Sequence, residues 1–185
     1  MSELQRRDEL LELLRSYVER VGVAALTLES AAEAAGTTPD ELQEYFDSKV
    51  ELVVALIARN RIRLRERFAK LRADGALERV DLRRFMWEFY LETAGDSRLF
   101  FEAYGLALHD ERYREFTVGV DDWISLLTEA AKQRGIPPER AGALATLTLA
   151  VYRGAMLDYC ATNDRGRVNA AMELWFHMVS GLETG

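Results

Sequence analysis

The sequence predicts an all-α fold, and three observations carry that prediction. Apolar residues recur at spacings of three and four along most of the chain, the period of a helix with one buried face. Proline stands only at positions 39, 137 and 138, so long stretches lack the residue that breaks helices. No stretch alternates apolar and polar residues as a half-buried strand would. With 185 residues, 49% of them hydrophobic, the chain can bury a packed core, as one medium domain or as a small head on a larger body.

The first helix is expected from Leu4 to Val21, with Leu10, Leu11, Leu14, Tyr17, Val18 and Val21 at helical spacing and Gly22 ending it. Thr27 is a natural N-cap for the second, built on the small residues Ala31, Ala32 and Ala35 and broken at Gly36. Thr38-Pro39-Asp40-Glu41 starts the third by combining a capping box with proline at the first helical position. Ser48 and Glu51 repeat the capping-box spacing for a long fourth helix through Leu52, Leu56, Ile57, Leu64, Phe68 and Leu71. Ala73-Asp74-Gly75 breaks it and separates head from body. Further helices are expected near 81–94, 97–109, 112–134, 138–162 and 167–182, with Asp81, Asp96 and Ser97 as starts. Gly135 and Pro137-Pro138 precede the fourth of these, and the loop at 163–167 precedes the fifth.

Residues 27–49 thus form two short helices hinged at Gly36 and followed at once by a third, the layout of a helix-turn-helix, which lays its second helix in the DNA major groove. Charge opposes that use. Between Leu28 and Glu51 stand Glu29, Glu33, Asp40, Glu41, Glu44, Asp47 and Glu51, against the single base Lys49. The net charge of −7 gives no global attraction to nucleic acid, so any binding must come from a local patch.

The N-terminus, MSELQRRDELL, has no apolar signal core, and the longest apolar run, 141–152, is too short to span a bilayer. The one cysteine, Cys160, excludes an intrachain disulfide and fits a reducing compartment. A soluble, cytoplasmic protein with no membrane partner is expected. There is no Gly-rich phosphate loop, nucleophile elbow or zinc motif, and His109 and His177 stand alone without ligand spacing. No enzyme, cofactor or metal is therefore expected.

The layout resembles the TetR family of transcriptional regulators over nearly the whole chain. Gly22, Thr27, Leu28, Ala32, Ala35, Gly36, Leu42, Tyr45, Phe46, Ser48, Lys49 and Leu52 fall on that family's head frame. The resemblance implies a helix-turn-helix DNA-binding head over 1–48, a connecting helix over 49–72, and a ligand-binding and dimerisation body over 73–185. Departures from the frame sit where DNA would be touched. The family's small Gly-Thr pair is Asp40-Glu41, its phosphate-contacting tyrosine is Gln43, and its variable base-reading position is Glu44. The candidate DNA-binding set is Arg6, Arg7, Thr27, Thr38, Gln43, Glu44, Tyr45 and Lys49.

Other features carry a plain and a sharper reading. Asp40 and Glu41 favour the macrodipole and complete a cap, which explains them without function. A carboxylate can also accept from cytosine N4, and Gln43 could pair with adenine. Arg59, Arg63 and Arg67, one turn apart, read first as a solvated face, or else as an anionic contact with a partner or the chain's own head. The body's many aromatics are mostly core, Phe116 among them, and a subset is expected to line a cavity between helices: Trp87, Phe101, Tyr104, Trp123, Tyr152, Met156 and Tyr159. Polar handles there would be His109, Arg153 and Asp158. Cys160 reads as a small buried residue. Gly142, Ala143, Ala145, Ala150, Gly154, Ala155, Ala170 and Ala171 suit close helix approach, and the resemblance implies a homodimer through the last two helices.

These readings converge on a ligand-responsive repressor that binds a palindromic double-stranded DNA operator as a homodimer and is released by a small apolar or aromatic effector. The competing class is a module of the same fold, binding ligand or protein, that has lost operator binding.

Overall fold

The computed structural model describes residues 2–74 and 81–183. Gly75 of the expected break, and the side chains of Leu64, Phe68, Leu71, Arg72 and Phe116, lie outside the described residues. Among the described residues every regular element is helical: α1 (Glu3–Ala25), α2 (Leu28–Ala35), α3 (Pro39–Gln43), α4 (Lys49–Ala73), α5 (Leu82–Glu92), α6 (Ala94–Ala107), a 3-10 turn (Glu111–Thr117), α7 (Val118–Gln133), α8 (Pro138–Thr162) and α9 (Arg165–Glu183). The all-α expectation holds.

Packing divides the chain into two compact units. One joins Met1–Lys70 to Gly95–Phe116, and the other joins Leu71–Ala94 to Thr117–Gly185. In the first, Leu10, Leu14, Val18, Leu26, Leu42, Phe46 and Leu52 form a closed core to which α6 contributes Leu99 and Ala103. The methyl-sized Ala31 and Ala32 are fully buried, which lets α2 lie close on its neighbours. In the second unit α8 packs against α5, α7 and α9.

Local chemistry explains the head. Thr27 and Ser30 cap α2 reciprocally, each hydroxyl accepting the other's backbone N–H at 3.1 Å. Gly36 ends it in the left-handed region, φ 68°. The N–H of Thr37 reaches back to Ala32 and that of Gly36 to Glu33, which satisfies two orphan carbonyls. Thr38 caps α3 by accepting the Glu41 N–H at 3.2 Å.

Several expectations need correction. The break expected at Gly22 is present, at φ 77° and ψ 166°, but a further helical turn follows it as far as Ala25. Asp96 and Ser97 do not start a helix: α6 begins at Ala94, and both residues are buried in its first turn. The expected helix over 112–134 is two elements, because the Asp110 carboxylate accepts the Arg112 N–H and first winds a tight turn. Neither acidic capping box closes on its own cap residue. The Glu51 carboxylate takes the N–H of Asp47 at 2.7 Å, and that of Glu41 goes to Arg6 and the Thr37 hydroxyl. Cys160 is half-buried, with its Sγ 3.9 Å from the Ala94 carbonyl.

Candidate nucleic-acid interface and ligand site

In a helix-turn-helix the second helix must be both held by the core and open to a groove. α3 meets both demands by alternation. Leu42 and Phe46 are 0% exposed, whereas Asp40, Gln43, Glu44 and Asp47 face solvent. Gln43 ends α3 and Glu44 is its C-cap, with the Glu44 N–H held by the Asp40 and Glu41 carbonyls.

The expected phosphate anchors are in part engaged within the chain. Arg6 donates to Glu41 at 3.0 Å and lies 3.6 Å from Glu9. Arg7 stacks 4.8 Å over the Phe46 ring, donates to the Tyr45 carbonyl and pairs with Glu51 at 3.4 Å. Tyr45 is half-buried against the core, and Lys49 opens α4 with its Nζ 3.5 Å from the Ala24 carbonyl. Thr27 and Thr38 remain exposed beside their caps. Hydrogen bonds from Thr37 and then Arg6 hold the Glu41 carboxyl below its ordinary range, so it is ionised at neutral pH. The tip is therefore acidic, and Arg6 and Arg7 beside it are paired with carboxylates of the same chain.

The arginines of α4 do not simply point to water. Arg59 pairs with Asp8 and Glu12 of α1, beside an open groove lined by Gln5, Asp8, Glu9, Glu12 and Leu13. Arg63 lies 3.4 Å from both oxygens of Asp96. Of the two sequence readings, the contact with the chain's own head is the one found at Arg59. Apart from the Arg6–Glu9 contact, nothing local announces these pairs, since the other partners of Arg6, Arg7, Arg59 and Arg63 lie 33 to 51 residues away in sequence.

The expected ligand-lining residues are distributed over the two units. Phe101, Tyr104 and His109 belong to the first, where Tyr104 and His109 are exposed and Phe101 is half-buried. Trp87, Trp123, Tyr152, Met156 and Tyr159 belong to the second. There Tyr90 stands 6.2 Å from Trp123 and 6.1 Å from Tyr152, and Tyr152 lies 6.3 Å from both Trp87 and Phe176, which makes one aromatic cluster. Its polar edges are satisfied: Trp87 Nε1 donates to Asn169 at 2.8 Å, and the Tyr152 hydroxyl donates to the Arg83 carbonyl. Burial pushes the Tyr90 phenol up to about 12, against the opposing charge of Arg153. Tyr152 and Met156 are each 1% exposed, which leaves no water-sized space against them. Trp123 and Tyr159 are half-buried. Of the expected polar handles, Asp158 is taken by Arg167 at 2.7 Å and His109 sits exposed in the turn after α6.

The face expected to dimerise is apolar. Along α8 the exposed residues Ala143, Leu147, Ala150, Gly154, Leu157 and Ala161 follow one another at steps of three and four, and α9 exposes Ala170, Ala171, Leu174 and Met178. Ala145, in contrast, is buried within the unit. Among the described residues no helix is long and apolar enough to cross a membrane, and no group of three or more His, Cys, Asp or Glu could hold a metal ion.

No protein-family model matches the chain, and no curated protein matches it significantly. Solved structures do. A TetR-family transcriptional regulator from Cytophaga hutchinsonii is similar with a TM-score of 0.75 at 18% identity, over 98% of this chain and 96% of that one. GusR from Salmonella enterica gives 0.73 at 20% identity, over 100% and 98%. A TetR-family regulator from Agrobacterium tumefaciens gives 0.71 at 21%, over 96% and 98%. At such identities the likeness establishes the fold, that of TetR-family regulators along the full chain.

Proposed function

We propose that the protein is a transcriptional regulator of the TetR type, which binds a palindromic operator as a homodimer and releases it on binding a small apolar or aromatic effector. The observation that carries this reading is α3: a capped helix clamped by Leu42 and Phe46 that presents Gln43, Glu44 and Asp40 to solvent behind a Gly36 turn. The shared fold along the full chain supports it. Residues 1–48 would form the reading head, α4 the connecting helix, and 73–185 the effector and dimerisation body. Gln43 and Glu44 would read base edges, with Arg6, Arg7, Thr27, Thr38, Tyr45 and Lys49 positioning the head on phosphates. The effector would open the aromatic cluster from Trp123 and Tyr159, because Tyr152 and Met156 have no free space in the closed packing. DNA affinity then falls by the effector's differential binding to the two states.

A second reading is favoured by the acidic tip. A head whose tip exposes Asp40, Glu44 and Asp47 is repelled by phosphate, and phosphate contacts supply much of DNA affinity. On that reading the chain keeps the fold as a ligand-binding or protein-interaction module. Binding of the native protein to genomic fragments across a salt series separates the two. Selection of one palindrome establishes the regulator, whereas no fragment preference at low salt leaves the module. Thermal shift against a hydrophobic library tests the effector site, with stabilisation that rises with ligand concentration and weakens in Trp123→Ala.

A further inference from the structure

Two donors from different elements converge on one carboxylate at the tip of the head. Arg6, in the first turns of α1, donates Nη2 to Glu41 Oε1 at 3.0 Å, and the Thr37 hydroxyl, in the turn before α3, donates to Oε2. Both oxygens of Glu41 are thus engaged, as the oxygens of a bound anion would be. The site opens outward: Thr38, Pro39 and Asp40 beside it are exposed. Glu41 is not needed there to cap α3, because that cap is made by the Thr38 hydroxyl on the backbone of Glu41.

We propose that Arg6 and Thr37 form a binding site for a DNA backbone phosphate, which the Glu41 carboxylate fills in the free protein as an internal competitor. This rests on the DNA-binding reading of the head. The contact is part-exposed, and ion pairs of that kind hold weakly, so a phosphate can exchange for the carboxylate. Exchange leaves Glu41 unpaired beside the duplex, where it opposes binding. The head therefore binds DNA below the strength its fold allows, whatever the sequence.

The test uses full-length protein and two probes, a random-sequence duplex and the genomic fragment it retains best, by fluorescence anisotropy across a salt series. Glu41→Gln keeps the side-chain length and the backbone cap. It should bind both probes more tightly, by about fivefold per head, and the slope of log affinity against log salt should steepen by about one per head. Glu41→Thr, a smaller side chain, should do the same if the first variant folds poorly. In an Arg6→Ala background the gain from Glu41→Gln should fall to that of Asp40→Asn, the part due to charge removal alone, whereas the Asp40→Asn gain should be the same with or without Arg6. Unchanged affinity and slope in Glu41→Gln would overturn the competitor, as would a gain that Arg6→Ala leaves undiminished. A wild type that selects an operator alongside an unchanged Glu41→Gln removes the competitor and leaves the regulator standing. Failure of every variant to bind any duplex at low salt removes both.

Discussion

The carboxylate of Glu102, on α6, accepts the backbone N–H of Val23 at 2.5 Å, directly after the residue where α1 breaks. At Gly22 the chain turns through φ 77°, so the final turn of α1 has no preceding carbonyl in register for its first N–H. Glu102 supplies the acceptor from 79 residues away. α6 is thereby fastened to the segment that leads into α2.

Glycine is required at the kink for two separate reasons, its positive φ and the approach of Glu102, whose Oε2 would lie 3.0 Å from an added Cβ. Gly22→Ala should cost about 1–2 kcal/mol, and Glu102→Ala about 1 kcal/mol. Because the new methyl meets the very carboxylate that is removed, the double variant should lose less than the sum of the two. Urea unfolding of the four proteins measures the coupling, and strict additivity would refute the contact.

Gly36 gives a cleaner case. An added Cβ there meets nothing within 4 Å, so only the left-handed backbone resists substitution. Gly36→Ala should cost about 1 kcal/mol and Gly36→Asn distinctly less, since asparagine tolerates that region. Equal losses for the two would mean that packing, not φ, sets the requirement.

Asp96 contributes a pH dependence to the first unit opposite in sign to that of Glu41, whose carboxyl pKa is lowered. Its carboxyl is 4% exposed, and burial pushes its pKa from 3.8 up to about 6, opposed by Arg63 of α4, raised further by Glu19 and Glu12 of α1, and lowered by Arg15. A folded pKa above the unfolded one means that the fold prefers the protonated form. That stabilisation is full below about 4 and is lost as pH rises through about 6. Asp96→Asn removes the titration, so its stability relative to wild type should improve between pH 4 and pH 7, on the order of 2 kcal/mol. Denaturant titrations at the two pH values check the sign, and a relative stability that stays flat or falls would contradict it.

The exposed stripe on α8 predicts association. Wild type should be a dimer at micromolar concentration by light scattering, and Ala150→Glu or Leu157→Glu should shift it towards monomer without loss of helicity, because a charge buried in an apolar interface finds no partner. A monomeric wild type would exclude the face as a dimer interface.

Much of the fold was legible because its signals are local. The caps at Thr27, Thr38 and Asp81 and the stop at Gly36 each involve residues within a few positions of one another. Asp96 and Ser97 mimic a helix start in sequence, yet the carboxylate of Asp96 serves Arg63, so an ion-pair partner reads as a capping residue. The same limit applies to the site. Exposure of Gln43 and Glu44 follows from helical period around Leu42 and Phe46, whereas the engagement of Arg6 by Glu41 and of Arg7 by Glu51 depends on where α1 crosses the head. No spacing rule reaches that far. The aromatic cluster was visible in composition, but which rings close on one another depends on how α5, α7, α8 and α9 assemble.

α3 is five residues long, and the segment around it divides its labour residue by residue. Leu42 and Phe46 anchor it, while Asp40, Gln43, Glu44 and Asp47 are exposed. Replacement of these four outward residues therefore leaves the anchoring intact. The charge of this surface is thus set apart from the contacts that hold the segment in place, and it can change sign without a change in the buried residues that position it.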